Sequence, residues 1–199
     1  MLKVYLLRHG ETQYNADGNR YCGRTDINLT EKGLKQAETV HKQLKGLDMD
    51  AIYSSPLQRA KITAQVASGS DDVQTDERLI EVDFGAWEGK TKEEFIAEDL
   101  KIWESWMLDP ANSRAGRTGE RADDVVKRVD AFYKDMYEKH PSGTIMVVGH
   151  NGINRLYMAY KLGMPLKYYR RIVQENSSLT LFSLDEQGEF SLMKLNAIV

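Results

Sequence analysis

Two short apolar runs in this chain each stop abruptly at a histidine that has a glycine beside it. Lys3–Leu7 runs into Arg8-His9-Gly10, and Thr144–Val148 runs into Gly149-His150-Asn151-Gly152. An unbroken apolar run of about five residues, bounded by turn residues, reads as a strand buried on both faces. Between and around these runs the pattern changes to a helical period. After a candidate N-cap at Thr30, residues Leu34, Ala37, Val40 or His41, Leu44 and Leu47 recur at helix spacing. Ala51–Ser54 reads as a second strand. Ser55-Pro56 opens a helix that Leu57–Ala67 continues, with proline early, where its missing N–H costs nothing.

Val73–Thr75 reads as a third strand and Lys92–Met107 as a helix with Phe95, Ile96, Trp103 and Trp106 on its apolar side. Ala122–His140 is strongly amphipathic, with Val125, Val129, Phe132 and Met136 on one face. A helix over Ile153–Leu162 and a hairpin of Leu179–Leu184 with Phe190–Leu195 complete the chain. Gln13–Asn28, Leu79–Gly89 and Asp109–Gly119 read as loops, the first long enough to suggest function. Strands alternating with helices imply an α/β fold: a three-layer α/β/α sandwich with a mostly parallel central sheet.

The 199 residues suit one domain with a full core. A net charge of −3 opposes a general nucleic-acid or membrane-surface role, which needs a basic patch. No stretch approaches the roughly 20 apolar residues of a membrane span. The apolar N-terminus is cut off at once by Arg8-His9, so it reads as a strand and not a signal peptide. Cys22 is the sole cysteine, which leaves no internal disulfide and no thiolate zinc cage. The expected location is the cytoplasm. The four histidines show no metal-ligand spacing, so neither a metal nor another cofactor is expected.

In open α/β sheets, ligands bind at the carboxyl ends of the strands, and His9 and His150 both sit there. A lone histidine in a turn is usually structural; two at matching strand ends are a different matter. Arg8 ends an apolar strand, where a merely solvated charge has no obvious place. Arg59 lies in the first turns of a helix and can point to the same face. Guanidinium forks hold phosphate oxygens in pairs and keep their charge, although most helix arginines are only solvated. His41 reads as a helix-face residue, and His140 as a helix C-terminal one, where a protonated imidazole suits the dipole.

The stretch Leu7-Arg8-His9-Gly10-Glu11-Thr12 resembles the signature of the histidine phosphatase superfamily, the phosphoglycerate mutase-like proteins. Further segments follow in that family's order. They are Asn15; Arg24-Thr25-Asp26 with Leu29-Thr30-Glu31-Lys32-Gly33; Ser54-Ser55-Pro56-Leu57-Gln58-Arg59-Ala60 with Thr63-Ala64; Leu79-Ile80-Glu81 with Phe84-Gly85-Ala86-Trp87-Glu88-Gly89; and Val148-Gly149-His150-Asn151-Gly152. The resemblance implies that His9 is a nucleophile forming phosphohistidine, with Arg8, Arg59 and His150 around the phosphoryl group. Glu81 is then the general acid for the leaving oxygen, the alternative being a loop acid paired with a nearby base. Asn15 and the backbone near Gly23 are the further phosphate-binding positions it implies, and Cys22 lies in the same loop; Asn151, where many relatives carry a smaller or different residue, is a departure that adds a donor and acceptor beside His150 and a candidate substrate-binding position.

These roles agree with general chemistry. A covalent histidine splits one hard step into two, and positive neighbours favour the neutral imidazole that attack requires. A departing alkoxide needs a proton, so Glu81 in that role must carry one. Mutases of this kind are typically longer after the second acidic block, whereas here Trp87-Glu88-Gly89 leads straight into Lys90-Thr91-Lys92. The short phosphatase branch is therefore favoured: a metal-independent phosphomonoesterase acting on α-ribazole phosphate, a sugar phosphate or phosphoglycerate. A phosphoglycerate mutase and a non-catalytic phosphate-binding member are the alternatives. The chain 1–199 then forms one such domain, with a small helical cap inserted at about 90–120. Trp103, Trp106 and Met107 contact substrate there or pack the cap. Cys22 is a reactive thiol or a small packed residue, and the C-terminal hairpin is a sheet edge or a homodimer contact.

Overall fold

The computed structural model describes residues 1–197. The strands β1 (Leu2–Arg8), β2 (Ala51–Ser54), β3 (Gln74–Thr75), β4 (Thr144–Gly149), β5 (Leu179–Leu184) and β6 (Phe190–Ala197) form one sheet, in the order β3-β2-β4-β1-β5-β6. The first four run parallel; β5 pairs antiparallel with β1, and β6 antiparallel with β5. The helices are α1 (Gln13–Ala16), α2 (Glu31–Leu44), α3 (Gln58–Ser68), α4 (Lys92–Glu98), α5 (Leu100–Leu108), α6 (Ala122–Lys139) and α7 (Asn151–Lys161).

Strand alternation divides the core into two layers. Leu2, Val4 and Leu6 of β1, with Ile145 and Val147 of β4, pack into a cluster with α6 and α7. Leu7, Met146 and Val148 point the other way, onto Val40 and Leu44 of α2 and Ala60, Ala64 and Ala67 of α3. Sheet and helices thus form the expected three layers. Each fully buried Leu, Ile or Val contributes about 1.5–3 kcal/mol, so the β1–β4 pair is among the most strongly anchored parts of the molecule.

Several local expectations give way to specific contacts. The loop expected over Gln13–Asn28 opens with helix α1, capped by Thr12 and Asn15 in a reciprocal capping box. Pro56 precedes α3 and does not begin it. Asp26, reaching from that loop, accepts the amide of Gln58 at 2.9 Å and caps α3 instead. The helix expected over Lys92–Met107 breaks at Asp99, whose side chain caps α5. Helix α7 begins at Asn151, two residues earlier than the pattern suggests. A 3-10 helix at Leu166–Arg171 and two 3-10 turns, Glu77–Leu79 and Gly85–Trp87, carried no periodic signal.

Leu34 faces solvent, at 38% exposure, and Gly33 takes the inward place on α2. The cause is a close approach of two backbones. A Cβ on Gly33 would lie 2.2 Å from the Glu11 carbonyl oxygen, and one on Gly10 would lie 2.5 Å from the Gly33 carbonyl oxygen. The loop after β1 therefore rests directly on the first turn of α2, which fixes the residues after His9. Gly33→Ala is expected to lose roughly 1–3 kcal/mol of stability through overpacking. A thermal melt checks this, with a fall of about 2–4 °C per kcal/mol for a domain of this size; an unchanged midpoint contradicts the contact.

Candidate active site

The β1–β4 register places Arg8 opposite Gly149. The amide of His9 donates to the Gly149 carbonyl at 3.1 Å, carrying the ladder one residue past the strand end. His9 and His150 consequently lie side by side, their ring centroids 5.2 Å apart and their planes 60° apart. His150 is the N-cap residue of α7, so the second strand end is also a helix start.

His9 Nδ1 lies 2.7 Å from the Gly10 carbonyl oxygen. A carbonyl only accepts, so Nδ1 carries the proton and Nε2 keeps its lone pair. Burial, and then the Arg59 and Arg8 guanidiniums, hold the His9 imidazole well below its ordinary pKa of 6.5. Burial and Arg59 do the same to His150. Both rings are neutral near pH 7, and a neutral imidazole with a fixed tautomer can attack phosphorus.

Arg8 Nη1 donates to the Gln174 carbonyl at 2.8 Å, and its Nε is buried without a partner. Burial lowers its pKa to about 10, which leaves it charged at neutral pH. Arg59 is fully buried, and its terminal nitrogens donate to the carbonyls of Gly23 at 2.6 Å and Thr25 at 2.8 Å, with Nε again unpartnered. Glu81 is buried against the start of α7. Its Oε1 accepts the amides of Val82 at 2.8 Å and Ile153 at 3.1 Å, and its Oε2 that of Gly152 at 3.0 Å. It thus supplies the cap that His150 does not, and it is held rigidly where it lines the pocket.

Arg8, His9, Asn15, Cys22, Arg59, Glu81 and Asn151 line one cavity of about 360 Å³ at the carboxyl ends of β1 and β4. Two of the expected site residues stand behind it. His150 is fully buried off the cavity wall, with neither ring nitrogen partnered. Gly23 presents its carbonyl to Arg59 and so aims that side chain. Asn15 Oδ1 accepts the amide and hydroxyl of Thr12, which leaves its Nδ2 as the group without a partner among the described residues. Asn151 Oδ1 is buried and unpartnered.

Burial raises the Cys22 thiol to about 11, and Sγ donates to the Thr25 carbonyl at 3.4 Å; it is a packed, protonated thiol. Trp103 and Trp106 are buried with Trp87 and Phe95, so they pack the fold and do not line the cavity. No residue of the 90–120 segment lines it either. His140 departs from the dipole expectation: burial and Lys139 lower its pKa, and its Nε2 pairs with the Tyr53 hydroxyl at 3.0 Å. Among the described residues no three His, Cys, Asp or Glu side chains converge as a metal cluster.

No sequence pattern points to the wall that precedes β5. Because β5 runs antiparallel to β1, the segment before it arrives at the same sheet end as the histidines. Asn176 Nδ2 donates to the His9 carbonyl at 3.1 Å and to Asn15 Oδ1 at 3.2 Å, and the Ser177 amide donates to the Arg8 carbonyl at 3.0 Å. Tyr169, Arg170 and Gln174 line the cavity from this segment, Tyr21 from the long loop and Arg155 from α7. The one sequence signal for Arg155 was its spacing, one helical turn after Asn151.

A family profile for the histidine phosphatase superfamily (branch 1) matches residues 4–198. Phosphoserine phosphatase 1 of Hydrogenobacter thermophilus is 32% identical, over 98% of this chain and 92% of that protein. The adenosylcobalamin/alpha-ribazole phosphatase of Escherichia coli is 33% identical, over 82% and 81% respectively. A crystal structure of a phosphoserine phosphatase variant from Entamoeba histolytica in complex with phosphoserine superposes with a TM-score of 0.90 at 32% identity, covering 100% of this chain and 98% of that one. The chain belongs to the histidine phosphatase superfamily. It is a phosphatase, and its reaction class is the hydrolysis of small phosphate esters.

The depressed histidines contribute to the acid behaviour of the fold. The unfolded chain takes up protons near pH 6.5, while buried His9 and His150 stay neutral well below that value. Their contribution to stability is therefore full above pH 6.5 and is lost progressively as the pH falls beneath it. The thermal midpoint of His150→Gln is expected to fall less between pH 7 and pH 5 than that of the unaltered protein. Parallel curves would place His150 outside this linkage.

Proposed function

We propose that His9 Nε2 attacks the phosphorus of the ester in line with the leaving oxygen. The P–O ester bond breaks as the N–P bond forms, and Glu81, protonated on Oε2, the oxygen that accepts only one amide, gives that proton to the departing alkoxide. Water then attacks the phosphohistidine, Glu81 takes a proton from it, and the N–P bond breaks to release phosphate. Arg8 and Arg59 stabilise the equatorial oxygens, and Asn15 Nδ2 adds a donor. His150 supports His9 and Arg59 from behind.

One observation carries this reading. The Gly10 carbonyl holds the His9 proton on Nδ1, so Nε2 is a lone pair in a cavity also lined by Arg8 and Arg59. A phosphate monoester dianion is the ligand such a wall suits. Phosphoserine and α-ribazole phosphate, the substrates in the relatives' names, are the first esters to test, with phosphoglycerate and sugar phosphates beside them. We read residues 1–199 as a single domain, with the 90–120 insertion, through Phe95 and Trp103, a buttress behind Tyr21 and Arg170, and we place the enzyme in the cytoplasm. The open edge of β6, where Met193 and Leu195 are exposed, is the surface on which a homodimer would form.

His9→Ala is expected to abolish phosphate release from every ester, and added EDTA to leave the unaltered enzyme active. Glu81→Gln is expected to slow alkyl esters by about 10²–10⁴-fold and p-nitrophenyl phosphate much less, because nitrophenolate leaves without a proton. Equal losses on both esters would remove the general-acid role from Glu81.

A further inference from the structure

Outside the cavity, each half-buried arginine has a carboxylate within 4 Å: Arg78 has Asp76 and Asp135, and Arg128 has Glu120. Arg20, on the cavity wall, has Asp17 and Glu94. Among the described residues, the buried or half-buried arginines with no such partner are Arg8, Arg59, Arg155 and Arg170, and all four line the same cavity. Burying a charge without a partner is costly, so unpaired guanidiniums in a pocket mark where a ligand supplies the missing charge. Arg8 and Arg59 belong to the phosphoryl group, which leaves Arg155 and Arg170 without an assigned anion.

These two side chains are held in place. Both lie over the ring of buried Tyr169, Arg155 at 5.2 Å and Arg170 at 5.3 Å from its centroid. Arg170 is also 4.6 Å from the Trp103 ring centroid and donates to the Tyr21 hydroxyl at 2.6 Å, while its Nε is buried and unpartnered. Arg155 Nε donates to the Asn151 carbonyl at 2.9 Å, and its terminal nitrogens have no partner among the described residues. Arg155 and Arg170 share the wall of one cavity with Arg8 and His9, so this pair belongs to the same pocket as the phosphoryl subsite. Glu81 is committed to three backbone amides, and Glu175 is exposed; neither forms an ion pair with Arg155 or Arg170.

We infer that Arg155 and Arg170 form a second anion subsite, and that the preferred substrates are phosphate monoesters bearing another anionic group, a carboxylate or a second phosphate, a few bonds from the ester oxygen. This deepens the phosphatase reading and rests on it. It favours phosphoserine or phosphoglycerate over α-ribazole phosphate, whose remaining parts carry no second anion.

The test uses matched esters: 3-phosphoglycerate against glycerol 3-phosphate, phosphoserine against phosphoethanolamine, and fructose 1,6-bisphosphate against fructose 6-phosphate. The anionic member is expected to have the higher kcat/KM by roughly tenfold or more, mainly through KM, because the remote anion is held alike in ground and transition state. A preference in the first two pairs names a carboxylate, and one in the third alone names a second phosphate. In Arg155→Gln and Arg170→Gln the ratio within each pair is expected to fall towards one, and Arg170→Lys to recover part of it. Equal kcat/KM within every pair, or ratios unchanged in both Gln variants, overturns the proposal. If no ester is turned over, the hydrolytic reading has failed by itself. Calorimetric binding of the same pairs to His9→Ala then decides the subsite: tighter binding of the anionic members supports it, and equal binding refutes it.

Discussion

The parallel pairing of β1 with β4 is the constraint on which the site depends. Six consecutive residue pairs, from Lys3 with Thr144 to Arg8 with Gly149, hold the two strands in one register. Side chains alternate across a strand, so a slip by one residue would turn each buried face over and remove His150 from His9. Burial of Leu2, Val4, Leu6 and Leu7 against both helical layers makes that slip expensive. The catalytic geometry is thus set by apolar residues that never touch a substrate.

On that frame the protein assembles an unusual charge balance. Two neutral imidazoles and the unpaired guanidiniums of Arg8 and Arg59 crowd one sheet end, and Glu81 is tied to the start of α7 by three backbone amides. Burial depresses the histidines most, and the positive charge that adds to it is the charge proposed above to receive a phosphate dianion. Stability and function pull against each other here, as expected where a site is built before its ligand arrives. Backbone carbonyls aim the parts: Gly10 fixes the His9 tautomer, and Gly23 and Thr25 fix Arg59.

Much of this was legible in the sequence because it is local. Strand runs ending in His9 and His150, the N-cap at Thr30 and the amphipathic period over Ala122–His140 each state their structure within a few residues. The placement of Arg8 and Arg59 followed from the strand ends, and Glu81 only from resemblance to a family. What stayed hidden depends on distant contacts. Nothing near Leu34 shows that Gly33 must face inward, because the reason lies in the backbone of Gly10 and Glu11. Asp26 capping α3 and Asp99 breaking the helix before α5 are contacts of side chain with backbone that no period reveals. The wall of Tyr169, Arg170, Gln174 and Asn176 was missed because only the antiparallel direction of β5 brings it to the histidines.

If a phosphoryl group passes through His9 Nε2, it can be trapped there during turnover. Rapid quenching of the enzyme with a ³²P-labelled ester, followed by peptide mapping, tests this most directly. The expected result is an alkali-stable, acid-labile label on the peptide that contains His9, formed and lost at rates that support turnover and absent from His9→Ala. Steady turnover with a label on another residue, or with none trapped on the millisecond scale under conditions where formation outpaces hydrolysis, would contradict it.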